Sequence, residues 1–306
     1  MRLLALRLSA LGDVIHTIPA AIALRDSGAE VSWVVEAPYA EMVEIVAGAR
    51  AIPVAMKRWG RHLIASRAAI ATAHRAMRGH DVSVDFQGLV KSAALGLVAG
   101  APIRYGFDRE AVREKPALLF TNRHIIVDRS RHVVDWNLQL AAAISPASHQ
   151  SPSTPHWERF LAPGMETFAN RIVLLPGAGH RSKQWPVERF AEVARRVGQR
   201  ALIVWGPGEE DLARAVGAPM APPTNLRELA TTLRNASLVI GGDTGPLHLA
   251  AALGTRVVGL YGPTNPRRNG PYGQSQSCLS SYDESRAMEA IPADSVMRCV
   301  EKILPT

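Results

Sequence analysis

The sequence predicts an α/β protein made of two doubly wound parallel-sheet domains. Three observations carry that expectation. The chain has 306 residues, twice the roughly 150 residues of an ordinary single core. Short apolar runs alternate with longer amphipathic segments, the rhythm of βαβ units with right-handed crossovers. The rhythm breaks between Ser145 and Pro163, where Ser145-Pro146, Ser151-Pro152-Ser153-Thr154-Pro155 and Ala162-Pro163 favour extended or turn backbone over packed elements.

Taken in order, the apolar runs place strands at residues 3–8, 30–36, 51–55, 82–86, 103–106 and 125–127. Helical spacing falls at 19–26, 66–78 and 91–99. After the break, strands are expected at 171–175, 201–205, 238–241 and 257–261, with helices at 186–197, 225–235 and 246–253. Val296, Val300 and Ile303 share one helix face, so the chain is expected to end in a closing helix. The expected domains are 1–150 and 164–290, with 291–306 closing the second.

Composition narrows the function classes. Hydrophobic residues at 47% and charged residues at 20% exclude disordered and fibrous chains. A net charge of +8 favours an acidic partner, either a nucleotide sugar, an anionic membrane surface or nucleic acid. Nucleic acid is disfavoured, because the chain has neither a dense Lys/Arg block nor zinc-finger spacing. Two cysteines, Cys278 and Cys299, are too few for a disulfide framework and wrongly spaced for a metal, which suits a reducing compartment. Arg7 and Asp13 interrupt the apolar start before it reaches the length of a signal peptide, and no run attains the ~18 apolar residues of a membrane span. A cytoplasmic protein with at most peripheral membrane contact is expected.

In open parallel sheets, ligands sit beyond the carboxyl ends of strands, where loops lead into helices. Three such loops carry chemistry. In Ser9-Ala10-Leu11-Gly12-Asp13, Gly12 permits close backbone approach and Asp13 stands where a helix cap or a reacting carboxylate would be. Taken alone, capping is the better reading of Asp13. The loop from Pro176 to Pro186 holds Ala178, Gly179, His180, Arg181 and Lys183, a set whose amides and cations suit a diphosphate at a helix N-terminus. An ordinary polar βα loop is an equal reading of it. The third loop, Gly241-Gly242-Asp243-Thr244-Gly245-Pro246-Leu247-His248, sets a carboxylate beside free amides, as a sugar diphosphate requires. There His248 would donate to a phosphate or serve the structure alone.

Read together, these stretches resemble the ADP-heptose glycosyltransferase family. The matching runs include Leu8 through Ala20, Ile52 through Trp59, Asp85-Phe86-Gln87-Gly88-Leu89, Arg113-Glu114-Lys115-Pro116, Lys183-Gln184-Trp185-Pro186, Asp243-Thr244-Gly245 and Tyr261-Gly262-Pro263-Thr264. The Gln87-Gly88-Leu89 and Arg113-Glu114 runs are more typical of the family's heptosyltransferase I branch, which adds heptose to Kdo on lipid A.

The resemblance implies the GT-B fold, two Rossmann-like domains facing across a cleft, and inversion at the anomeric carbon. It implies Asp13 as general base and Lys183 on the diphosphate, with Thr244, Gly245 and His248 helping. Glu210 would hold the ribose, with Glu209 as the one-residue alternative, and Asp243 the heptose. Arg58 and Arg113 match arginines that pair with acceptor anions, and Arg61, Lys91 and His132 are further acceptor-side candidates. Ala178-Gly179 stands where compared members have two threonines, so backbone amides replace hydroxyl contacts to the nucleotide. No cofactor and no obligate metal are implied. The implied partners are ADP-heptose, Kdo-lipid A and the anionic cytoplasmic face of the inner membrane. Alternatives are an ADP-heptose transferase with another acceptor (a second core heptose or a protein), a GT-B-like nucleotide-sugar epimerase, or a non-catalytic nucleotide-sugar binding protein.

Overall fold

The computed structural model describes residues 1–149, 152–164 and 168–304. Gln150 and Ser151 of the expected break, residues 165–167 at the start of the expected second domain, and the last two residues lie outside them. The chain divides into two units, Met1–Phe160 and Leu161–Thr306. The division therefore falls late in the Pro- and Ser-rich stretch. Residues 152–160 belong to the first unit, where Trp157 and Phe160 are buried and stack edge to face.

Unit 1 holds a parallel sheet of β1 (Arg2–Leu6), β2 (Glu30–Glu36), β3 (Arg50–Val54), β4 (Val82–Asp85), β5 (Ile103–Phe107) and β6 (Arg123–Ile125), in the order β3-β2-β1-β4-β5-β6. From β1 the chain walks outward to β3, then crosses back to lay β4 on the other edge of β1, so that Leu6 lies between Val34 and Asp85. Leu3, Leu4, Ala5, Trp33, Val34 and Val35 have no exposed surface, as expected of parallel strands covered on both faces.

The first strand is shorter than its apolar run. The strand proper ends at Leu6; the Leu8 carbonyl still accepts the Glu36 amide of β2 at 3.0 Å, but the Leu8 amide donates to Oε1 of Gln87 at 2.8 Å. Arg7 and Leu8 remain buried, which is why hydropathy alone extends the strand. A helix at Val133–Ile144, which periodicity did not single out, packs on the helix Ile18–Asp26.

Unit 2 holds β7 (Ile172–Leu175), β8 (Ala201–Ile203), β9 (Leu238–Gly242), β10 (Val257–Tyr261) and β11 (Cys278–Ser280), all parallel, in the order β11-β10-β9-β7-β8. The expected closing helix forms at Ala293–Ile303 and turns Val296 and Val300 into the core beside Phe190 and Val193. In each unit the chain reverses direction once across its sheet, between β1 and β4 and between β7 and β9. Loops leaving the carboxyl ends of those paired strands diverge, and the crevice they leave is the binding position of doubly wound folds.

Candidate active site

At the switch point of unit 1, Asp13 lies in the first turn of the short helix Leu11–Ile15 and does not cap it. The cap position is Ala10, which has no capping side chain, and both carboxylate oxygens go to arginines instead. Oδ1 pairs with Nη2 of Arg7 at 2.5 Å, and Oδ2 with Nη1 of Arg113 at 3.4 Å. The capping reading of Asp13 is thereby replaced by one in which the carboxylate serves as a polar group held by guanidiniums.

Arg7 was only an interruption in an apolar run at the level of sequence. In the fold it is buried, and its Nη1 donates to the carbonyl of Phe86 at the end of β4. Burial lowers its pKa, as does the nearby Arg113, against the opposing pull of Asp13 and Asp85. Behind it Asp85 accepts the amides of Gln87 and Gly88 at 3.0 and 3.2 Å. Burial pushes the Asp85 carboxyl up to about 6 in spite of those bonds and the charge of Arg7.

The Gln87-Gly88-Leu89 and Arg113-Glu114 motifs turn out to be one device. Gly88 has φ +68°, and a Cβ there would come within 3.0 Å of the Arg113 amide nitrogen, so glycine is required twice over. The Glu114 amide donates to the Gly88 carbonyl at 2.9 Å, and the Glu114 carboxylate accepts from the Val90 amide at 2.7 Å. This stapling carries the Arg113 side chain to Asp13.

The other acceptor-side candidates are placed differently. Arg58 and Arg61 are exposed on the helix Met56–Arg61, in the loop region following β3, and among the described residues no acid pairs with them. Lys91 is exposed at the start of the helix Val90–Val98. His132 has a structural contact in this fold. It caps the helix Val133–Ile144, with its Nδ1 accepting from the Val134 amide at 3.1 Å, and its ring lies edge-on to His16 at 5.1 Å.

At the switch point of unit 2, Lys183 ends the turn Arg181–Lys183. Trp185, two residues on, anchors that loop in the core through a T-shaped contact with Phe190 at 4.9 Å and an indole bond to the carbonyl of Ile291. Gly242 completes the fit, because a Cβ there would lie 2.9 Å from the Lys183 carbonyl. The lysine Nζ then meets Oδ2 of Asp243 at 2.7 Å, while Nε2 of His248 meets Oδ1 at 3.0 Å. Burial works to raise the Asp243 carboxyl, but His248 and Lys183 outweigh it and hold it at about 2.

His248 is thus directed at Asp243 rather than outward as an independent phosphate donor. Thr244 occupies the cap position of the helix Gly245–Ala252 without making a side-chain cap. Its buried hydroxyl, like that of Thr264 beyond β10, has no hydrogen-bond partner among the described residues. An unsatisfied buried hydroxyl at a helix N-terminus suits an incoming anion oxygen.

The two glutamates separate clearly. Glu210 pairs with Arg214 one turn along its own helix and is half exposed. Glu209 turns back to the strand ends, accepts the Gly206 amide at 2.8 Å, and places its carboxylate where a side chain at Gly177 would stand. The geometry therefore favours Glu209 over Glu210 as the acidic group at the carboxyl ends of β7 and β8. Ala178 is half-buried and Gly179 exposed, and a Cβ at Gly179 meets nothing within 4 Å. The absence of threonine at Gly179 is not forced by crowding.

Residues 70–297 match the model of glycosyltransferase family 9 (heptosyltransferase). The chain is 31% identical to lipopolysaccharide heptosyltransferase 1 of Escherichia coli over 99% of this chain and 98% of that one. It is 35% identical to the Pseudomonas aeruginosa protein of the same name over 92% and 84%. Its structure is similar to E. coli heptosyltransferase WaaC solved with ADP, with a TM-score of 0.85 at 29% identity, covering 99% of this chain and 100% of that one. The two parallel-sheet units are those of the GT-B fold, and the chain belongs to glycosyltransferase family 9, a family of glycosyltransferase enzymes.

Proposed function

We propose that the protein transfers L-glycero-D-manno-heptose from ADP-heptose to a Kdo sugar of Kdo-lipid A, with inversion and without a resident metal. Asp13 carries the reading. It stands at a switch point and is relieved of any capping duty, with a guanidinium on each oxygen. An attacking hydroxyl must lose its proton as it bonds to the anomeric carbon, and a carboxylate within hydrogen-bond reach takes it. Arg113, half exposed, is placed to exchange Asp13 for an acceptor carboxylate or phosphate. On the donor side the Lys183 ammonium and the amides opening the helix Gly245–Ala252 suit the departing diphosphate, whose growing charge fixed donors stabilise. A WaaC structure with ADP-2-deoxy-2-fluoro heptose, which this chain matches with a TM-score of 0.80, supports the donor class.

An anionic membrane surface at the cytoplasmic face is the proposed setting. No described helix is long and apolar enough to cross a membrane. From Ile45 to His80 the chain carries Arg50, Lys57, Arg58, Arg61, Arg67, Arg75 and Arg78 but no Asp or Glu. Ile64 in that stretch is 83% exposed. A basic stretch of sequence that also carries an exposed apolar residue suits an anionic lipid headgroup region.

The test is purified protein with ADP-heptose and a choice of Kdo-lipid A or already heptosylated core, read by product mass. Heptose added only to Kdo-lipid A is expected. Transfer only to the heptosylated core would move the protein to another acceptor, and donor isomerised without transfer would make it an epimerase.

A further inference from the structure

We infer that Arg7 is a positioning residue of the transfer step, fixing Oδ1 of Asp13 so that Oδ2 is the oxygen that takes the acceptor's proton. The inference rests on the reading of Asp13 as base. Arg7 is 3% exposed, and its guanidinium bridges the two loops of the unit 1 switch point, with Nη1 on the Phe86 carbonyl and Nη2 on Asp13 at 2.5 Å. A charge so buried is costly compared with an apolar side chain of similar volume, which would pack at the same place. What an apolar side chain cannot do is orient a carboxylate.

The two contacts to Asp13 differ in kind. The Arg7 contact is short, with the arginine side chain 4% exposed, whereas that to Arg113 is 3.4 Å and the arginine is 49% exposed. Oδ1 is therefore committed and Oδ2 only loosely held. An acceptor bearing a carboxylate or phosphate draws the Arg113 guanidinium into a bidentate pair and releases Oδ2. The acceptor oxygen then bonds to the anomeric carbon, its proton passes to Oδ2, and the bond from that carbon to the phosphate oxygen breaks with its electron pair leaving on ADP. With Arg7 absent the carboxylate rotates toward Arg113, and a misplacement of this order costs about a hundredfold in rate.

Arg7→Met keeps the volume and removes the charge, and Arg7→Lys keeps the charge with less reach. The expected result for Arg7→Met is a fall of about a hundredfold in kcat, with KM for the acceptor and affinity for ADP near those of the wild type. Arg7→Lys is expected to recover most of the loss. Because Arg7 acts through Asp13, adding either substitution to Asp13→Asn should cost little more in single-turnover rate than Asp13→Asn alone. Wild-type kcat in Arg7→Met, or losses that multiply in the double variants, would overturn the inference. Should Arg7→Met fail to bind ADP, the same cycle with Arg7→Lys decides. Failure of the wild type to transfer heptose at all would instead sink the underlying reading of function.

Discussion

At the switch point of unit 1 the carboxylate of Asp13 is 30% exposed and the Arg7 behind it only 4%, whereas in unit 2 the carboxylate of Asp243 is 11% exposed and the Lys183 ammonium 31%. The same kinds of group are arranged with opposite polarity. Unit 1 buries a cation to present an anion, and unit 2 buries an anion to present a cation. A presented carboxylate suits proton removal from a hydroxyl, and a presented ammonium suits a diphosphate. The buried groups behind them show the same inversion. Asp85 is raised to about 6 because burial dominates, and Asp243 is lowered to about 2 because its contacts with His248 and Lys183 outweigh burial.

The largest expected effect falls on the presented anion. Asp13→Asn keeps the shape but cannot accept a proton, so steady-state transfer should fall about 10²- to 10⁴-fold. Near-normal turnover would remove the distinction between the two sites.

Next comes the pH dependence of the buried acids. Because Asp85 titrates near 6 when folded against 3.8 as a free group, the folded chain holds a proton that the unfolded chain has released. Stability from this group is therefore present at low pH and falls by about 3 kcal/mol as pH rises from roughly 4 to 6. Asp243 runs the other way, contributing above pH 4 about 2.5 kcal/mol that is lost as pH falls toward 2. Urea unfolding across pH 4 to 7 should show Asp85→Asn gaining about 2–3 kcal/mol on the wild type as pH rises. A pH-independent difference would refute the buried, strained reading of Asp85.

The smallest effect is expected at the Gly179 loop of unit 2. Gly179 has open space around a Cβ, so Gly179→Thr should fold with a stability change within about 0.5 kcal/mol and tighten ADP modestly through the new hydroxyl. Weakened ADP binding, measured by titration calorimetry, would mean that the bare amides at this loop are needed as they are.

Legibility from sequence followed periodicity. Strand β2 at Glu30–Glu36 and β10 at Val257–Tyr261 were expected at those bounds, because parallel strands buried on both faces read as unbroken apolar runs. The three-residue edge strand Cys278–Ser280 escaped, since so short and partly polar a segment owes its pairing to β10 rather than to its own pattern. The strand-to-helix rule placed the three loops where the fold has them, after β1, β7 and β9, but their atomic contacts were not legible. Nothing local distinguishes an Asp13 that caps from one that meets Arg7 and, a hundred residues away, Arg113. Buried arginines such as Arg7 look like breaks in hydropathy, and nothing in the sequence shows that Glu209, rather than Glu210, turns back to the Gly206 amide.

The central claim is the opposite polarity of the two sites, and ADP titration of Asp13→Asn and Lys183→Ala side by side tests it most directly. The account predicts wild-type ADP affinity in Asp13→Asn and a loss of about tenfold to hundredfold in Lys183→Ala, the worth of a charge-assisted hydrogen bond. Equal ADP affinity in the wild type and Lys183→Ala, or a marked loss in Asp13→Asn, would contradict it.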